Sequence, residues 1–251
     1  ARFRIPITCA SVNRLFRIGP PYHFRCLGGL TFSLDHLSGG RSKRLTKEQA
    51  RNIVAWLHLQ GKLTLNEPFV PRFDASCKLL SPGAGDVLSI KWCFRGPKGI
   101  VEYKADMYNP PLRDSFHKLD PRLIVGMYRL AARLNQDPGA KEIWNRGTQP
   151  GKGDIHMEGR AFDFSGVLLS DGKTSIRVQR DWTEKRPFFE SLYGYLIEQY
   201  CHGSAGDKLG ESSQVVTPSD PDPKQAKAHF DHVHFDVPKG ELCPKEMPEI
   251  E

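Results

Sequence analysis

An α+β fold is predicted, with a small antiparallel sheet, flanking helices and an irregular N-terminal extension. Three observations predict it. Apolar residues recur at helical spacing in three separated stretches. Short runs rich in Val, Ile and aromatic residues lie between and after them. The first 45 residues follow neither pattern and are broken by Gly19-Pro20-Pro21, Gly28-Gly29 and Gly39-Gly40. The chain has 251 residues, 39% hydrophobic and 26% charged, enough for one large domain or two small ones. That composition excludes collagen, coiled coil and wholesale disorder. No run approaches the ~18 apolar residues of a membrane span, so no transmembrane segment is expected.

Each element has a local reason. Thr46 followed by Gln49 forms a capping box, and Ala50, Ile53, Val54 and Leu57 form one stripe, predicting a helix to about Gln60. Runs 87–94 and 100–108, separated by Gly96-Pro97-Lys98-Gly99, predict a β-hairpin. Asp120-Pro121 is an N-cap with proline in the first turn, and Leu123, Met127, Leu130, Ala131 and Leu134 line the helix after it to about Asn135. Residues 141–146 predict a strand, 147–153 a glycine-rich loop, 160–167 a second strand and 175–179 a third. Phe188, Phe189, Leu192, Tyr195 and Leu196 mark an amphipathic helix over 187–200. The polar, Pro/Ser/Gly-rich stretch 203–228 predicts a long loop, and 232–237 a final strand. A boundary falls near 110–120, making 1–115 an extension or accessory region and 116–251 the second domain. One continuous body is the alternative.

Charge and cysteines bear on location. The formal net charge is +7, and the first 50 residues hold nine Lys/Arg against Asp35 and Glu48. Such a surface concentrates polyanions, an anionic envelope polymer or membrane surface among them, though a merely solvated face explains it equally well. No nucleic-acid motif accompanies the charge, so no nucleic-acid partner is expected. Six cysteines, none in a Cys-x-x-Cys pair, suit an oxidising compartment, with Cys9–Cys26 and Cys77–Cys93 the pairings favoured by proximity and free core thiols the alternative. The chain opens at Ala1, which reads as a form from which any targeting segment has been trimmed.

Two segments carry candidate chemistry: Asp154-Ile-His156-Met-Glu-Gly159-Arg-Ala161-Phe-Asp163-Phe and His229-Phe-Asp231-His232-Val-His234-Phe-Asp236. Alternate residues of a strand share a face, so His232 and His234 point the same way. His156 and Asp163 add a third imidazole and a carboxylate. Three protein ligands with a fourth position open is the arrangement of a catalytic zinc. The short His-x-His spacing suits one ligand beside one general base or water-orienting group. Zinc would bring the pKa of water toward ~7 and polarise a carbonyl, a hydrolase's equipment. From spacing alone, chance proximity among nine histidines explains the set as well as a metal does. His23, His36, His58, His117 and His202 have no patterned neighbours and read as surface or satisfied core residues. Phe162, Phe164 and Phe235 alternate with site residues and read as core anchors. Glu158 reads as solvent-facing. Gly159 would let the backbone pass close to a metal. Asp231 or Asp236 would orient an imidazole or act as an ordinary salt-bridge partner.

The string His156-x-x-Gly159-x-Ala161-x-Asp163, followed by His232-x-His234, resembles the zinc signature of the LAS metallopeptidases, the superfamily of lysostaphin, D-Ala-D-Ala metallopeptidases and sonic hedgehog. The run from Ala161 to Trp182, the helix ending at Cys201 and the closing Asp231-His232-Val-His234-Phe-Asp236 resemble its bacterial extensin-like branch. The similarity covers roughly residues 120–238. It departs at Asp154, where members often carry Ser. The resemblance implies Zn2+ held by His156, Asp163 and His234, with His232 as the unligated catalytic histidine. It implies hydrolysis of peptide crosslinks or stems of bacterial peptidoglycan by an endopeptidase, in the periplasm or secreted. Arg146 stands where many relatives place an arginine near the substrate, implying a clamping or oxyanion role, with a surface arginine as the alternative. Two other readings compete: a non-catalytic zinc-containing wall-binding or recognition module, as in hedgehog-like relatives, and an iron oxygenase with two histidines and one carboxylate. The gap from His156 to Asp163 and the extra His232 count against iron.

Overall fold

The computed structural model describes residues 46–65, 72–73, 79–80, 88–106, 115–147, 155–200 and 215–237. The chain divides into two compact units, one of Ser42–Phe69 with Ala84–Glu251 and one of Ala1–Arg41 with Val70–Gly83. In the latter the described residues are the strands β2 (Arg72–Phe73) and β3 (Leu79–Leu80), which pair antiparallel. The first 45 residues and the Cys9–Cys26 pairing lie outside the described residues.

The larger unit is α+β. Its sheet comprises β1 (Leu63–Leu65), β4 (Leu88–Gly96), β5 (Gly99–Ala105), β6 (Ser115–Leu119), β7 (Ala140–Gly147), β8 (Ala161–Leu169), β9 (Ser175–Arg177), β10 (Val215–Val216) and β11 (Val233–Asp236). The main path runs β1-β4-β5-β7-β8-β11-β10, with β6 on β4 and β9 on β8. Every pairing is antiparallel except β5 with β7. A parallel neighbour needs a crossover, and helix α2 (Pro121–Gln136) lies within it. The β5–β7 pairing also carries one sheet across residue 115, joining the hairpin to the later strands.

Helix α1 (Lys47–Leu59) begins at the expected capping box, with Gln49 N donating to Thr46 Oγ1 and Thr46 N to Gln49 Oε1. Asp120 caps α2 by accepting from Arg122 N. Its carboxylate also grips the Arg122 guanidinium, and both side chains are 1% exposed. Helix α2 is buried almost all round, since α1 covers one side and the sheet the other. Tyr103 on β5 donates its hydroxyl to Met127 O, and its ring meets Phe94 and Phe162 edge-on at 5.1 and 5.3 Å. Phe162, Phe164 and Phe235 are fully buried in this core, together with Phe189, Leu192 and Leu196 of α4 (Arg186–Tyr200).

Several boundaries differ from expectation. The third strand stops at Arg177, because the Asp181 carboxylate accepts from Arg177 N and the chain turns into the short helix α3 (Val178–Asp181). The 203–228 stretch is not all loop. Val215 and Val216 pair with Phe235 and His234, and Asp222-Pro223 caps the short helix α5 (Pro223–Ala228). Residues 203–214 and the glycine-rich stretch 148–153 lie outside the described residues. Strand β6 was not foreseen. Cys93 is a free, exposed thiol on β4, so the expected pairing with Cys77 is not formed. Cys9, Cys26, Cys77, Cys201 and Cys243 lie outside the described residues. No helix among the described residues is long and apolar enough to cross a membrane.

Candidate metal centre

Strands β8 and β11 pair with Val233 opposite Phe164, His234 opposite Asp163 and Phe235 opposite Phe162. Period-two alternation turns the four apolar side chains into the core and leaves Asp163 and His234 together on the other face. His156 comes from a 3₁₀ turn, Ile155–Glu158, just before β8. That turn closes on Gly159, whose N–H donates to His156 O, while Asp120 N donates to Gly159 O. Gly159 has φ +66°, and a Cβ there would lie 1.9 Å from Lys118 O. The close passage that Gly159 permits here is over the β6 backbone. A side chain here would push the His156 turn off the sheet. Arg160 donates Nη1 to Val237 O at 2.7 Å, pinning the end of β11 to the start of β8. Glu158 points outward into an ion pair with Arg160.

His156, Asp163 and His234 form a cluster that could hold a metal ion, with one ligand atom from each lying within 4.8 Å of the others. His156 Nε2 is 3.4 Å from Asp163 Oδ2, and His234 Nδ1 is 2.9 Å from Asp163 Oδ1. Ligands about 2.1 Å from a tetrahedral metal ion lie about 3.4 Å from one another, and the two His–Asp distances are of that order. His234 offers Nδ1 to the cluster, and its Nε2 lies 3.4 Å from Asp236, whose side chain is fully buried. A carboxylate behind a ligating imidazole fixes ring orientation and raises basicity.

The electrostatics of the cluster favour positive charge. Burial raises the Asp163 pKa, but hydrogen bonds and charge from His156 and His234 outweigh it and hold the carboxyl well below its usual range. Burial lowers His234, and Asp163 and Asp236 overcome that to push it up to about 10. A proton on His234 and a metal ion would compete for this place.

His232 sits at the edge of the cluster, with Nε2 3.6 Å from Asp163 Oδ1 and Nδ1 2.7 Å from Asp231 Oδ1. Asp231 also accepts from Arg146 Nη1, and Arg146 Nε lies 3.7 Å from Asp106 Oδ2. Arg146 is thus held between two carboxylates with its side chain 25% exposed. Asp231 and Asp236, the two carboxylates offered by the sequence as orienters, each stand beside an imidazole.

Sequence reasoning missed three neighbours. His229 is buried, with ring centroids 4.8 Å from His232 and 5.5 Å from His234, and its Nδ1 lies 2.8 Å from Gln225 O at the end of α5. Burial holds its pKa below the usual histidine range, and the adjacent histidines push the same way. The available signal was its three-residue spacing from His232, which a turn, not a strand, brings to one side. Asp106 and Arg177 had no local signal, since both reach the site from distant strands. His58 is a structural histidine between Leu63 O and Leu65 N. His23, His36 and His202 lie outside the described residues. Comparison with protein-family models, curated proteins and solved structures finds no match to this chain.

Proposed function

We propose that the chain is a zinc-dependent peptidase of the LAS type, resembling its extensin-like branch, that hydrolyses peptide crosslinks or stems of bacterial peptidoglycan. The reading places it in the periplasm or outside the cell. One observation carries it: His156, Asp163 and His234, the residues the resemblance names as zinc ligands, come from two distant stretches and lie within one ion's reach. His232, the residue the resemblance names as catalytic, stands beside them without belonging to the ligand set.

Zinc held by these three residues would supply a Lewis acid that polarises the scissile carbonyl and acidifies water. The chain's own residues do the rest. His232 keeps Nδ1 on Asp231, so Nε2 faces the cluster and is placed to take the proton from the attacking water. The same nitrogen then returns that proton to the departing amine, leaving a free carboxylate and a free amino group. Asp236 holds the His234 ring, and Asp163 supplies the negative charge that offsets a divalent ion. A basic surface would concentrate the enzyme on an anionic wall polymer, and such binding weakens with salt.

The test is digestion of purified sacculi and defined crosslinked muropeptides, with products identified by mass spectrometry. Wild type loaded with zinc should release fragments whose masses name the cut bond. His232→Ala should abolish release while zinc content stays at the wild-type level. A fully zinc-loaded protein that cuts neither substrate would replace this reading with a wall-binding module. Iron in place of zinc on elemental analysis would revive the oxygenase.

A further inference from the structure

The chain of charges behind His232 extends well beyond Asp231. Arg146 joins Asp231 to Asp106, and Asp106 Oδ1 accepts from Arg177 Nη1 at 2.7 Å. The Arg177 guanidinium in turn lies 4.1 Å over the Trp144 ring. The four charged groups come from four places: the end of β5, β7, the end of β9 and the turn before β11. Asp106 and Asp231 are both about 5% exposed or less, so each carboxylate needs a cation. Carboxylate and guanidinium alternate along the chain, which makes it self-neutralising without His232.

His232 has a carboxylate near each ring nitrogen, Asp231 at 2.7 Å from Nδ1 and Asp163 at 3.6 Å from Nε2. Which nitrogen carries the proton is therefore set by which carboxylate is better held. Asp231 lies on a turn, where sheet hydrogen bonds do not fix its side chain. The hydrogen bond from Arg146 Nη1 does fix it, and Arg146 is partly exposed and has Asp106 as its second charged anchor. We propose that Asp106 and Arg177 are positioning residues: through Arg146 and Asp231 they fix the ring orientation and tautomer of His232, leaving the Nε2 lone pair toward the metal cluster. This rests on the catalytic role given to His232 above, but its first readout requires no activity.

That readout is a long-range 1H–15N correlation spectrum of the labelled, zinc-loaded full chain at about pH 8, above the ordinary histidine range. His232 signals are assigned by their loss in His232→Gln. Wild type should show the tautomer protonated at Nδ1. Asp106→Asn, which removes one anchor with little change of shape, should shift His232 to a mixture of both tautomers. On crosslinked muropeptide the same variant should lose about tenfold to a hundredfold in kcat with KM within about twofold. An unmoved His232 tautomer in folded Asp106→Asn overturns the proposal. Should that variant fail to fold, Arg146→Lys keeps the charge, loses the fork and is read by the same spectrum with the same two outcomes. A tautomer shift in a protein that cuts no muropeptide leaves the positioning network standing and removes the peptidase reading.

Discussion

Two regions of one sheet put carboxylates beside cations with opposite consequences. On β5 and β7, Lys104 bridges Glu102 and Glu142 at 3.4 and 2.7 Å, with the lysine and Glu102 each 47% exposed. On β8 and β11, Asp163 stands between His156 and His234, and the latter is 3% exposed. Water screens the first group, so its arrangement is worth a few tenths of a kcal/mol to about 1. The second is largely shielded from water, with Asp163 16% exposed, so its charge is balanced mainly by a proton or an ion held within the cluster. Ion-pair geometry alone does not distinguish them. Burial does.

The comparison breaks most sharply at Asp163. Asp163→Asn removes the one carboxylate shared by both histidines, leaving the buried His234 charge with one partner fewer. Breaking such a buried pair costs about 3–5 kcal/mol. Chemical denaturation of the chelated protein should show that loss, and calorimetry should show zinc binding gone.

The pH dependence sharpens it next. His234 is raised from 6.5 to about 10, so its contribution is complete below pH 6.5 and fades as pH climbs toward 10. Asp163 is lowered from 3.8, so its contribution is complete above that value and fades below it. The metal-free protein should therefore melt highest between about pH 4 and 6.5. Zinc should add most to the melting temperature above that window, where the competing proton leaves. A metal-free melting temperature that rises steadily from pH 6.5 to 9 would sink this account of the cluster.

Asp236→Asn is smaller still. The ligand set is intact and the partner of His234 Nε2 changes, so zinc affinity should fall about tenfold in a competition titration. Lys104→Ala closes the series. It should change unfolding free energy by less than about 1 kcal/mol and leave zinc affinity untouched.

Local rules were enough for most elements. The capping box at Thr46, the Asp120-Pro121 start of α2, the hairpin around Gly96–Gly99 and the alternation of Phe162, Asp163 and Phe164 are short-range features that the backbone obeys wherever the chain goes. Composition misled at 203–228, where a polar stretch hides the Val215-Val216 edge strand and the Asp222-Pro223 cap. The strand at 115–119 left no pattern strong enough to read. The site splits the same way. His156, Asp163, His232 and His234 stood out because they lie in two short motifs. Asp106 and Arg177 did not, because nothing near them in the chain marks Asp106 as a partner of Arg146 or Arg177 as a partner of Asp106.

The sequence by itself determined the class of fold, the starts of α1 and α2, the core phenylalanines and the four residues around which the chemistry is proposed, because each follows from neighbours within a few positions. Only the tertiary structure decided that β5 lies beside β7, that His229 turns toward His232, and that a line of alternating charges reaches His232 from three other strands or their ends. The first and the last of these are contacts between segments tens of residues apart. Long-range pairing is settled by the burial of the whole sheet, and no local spacing carries that information.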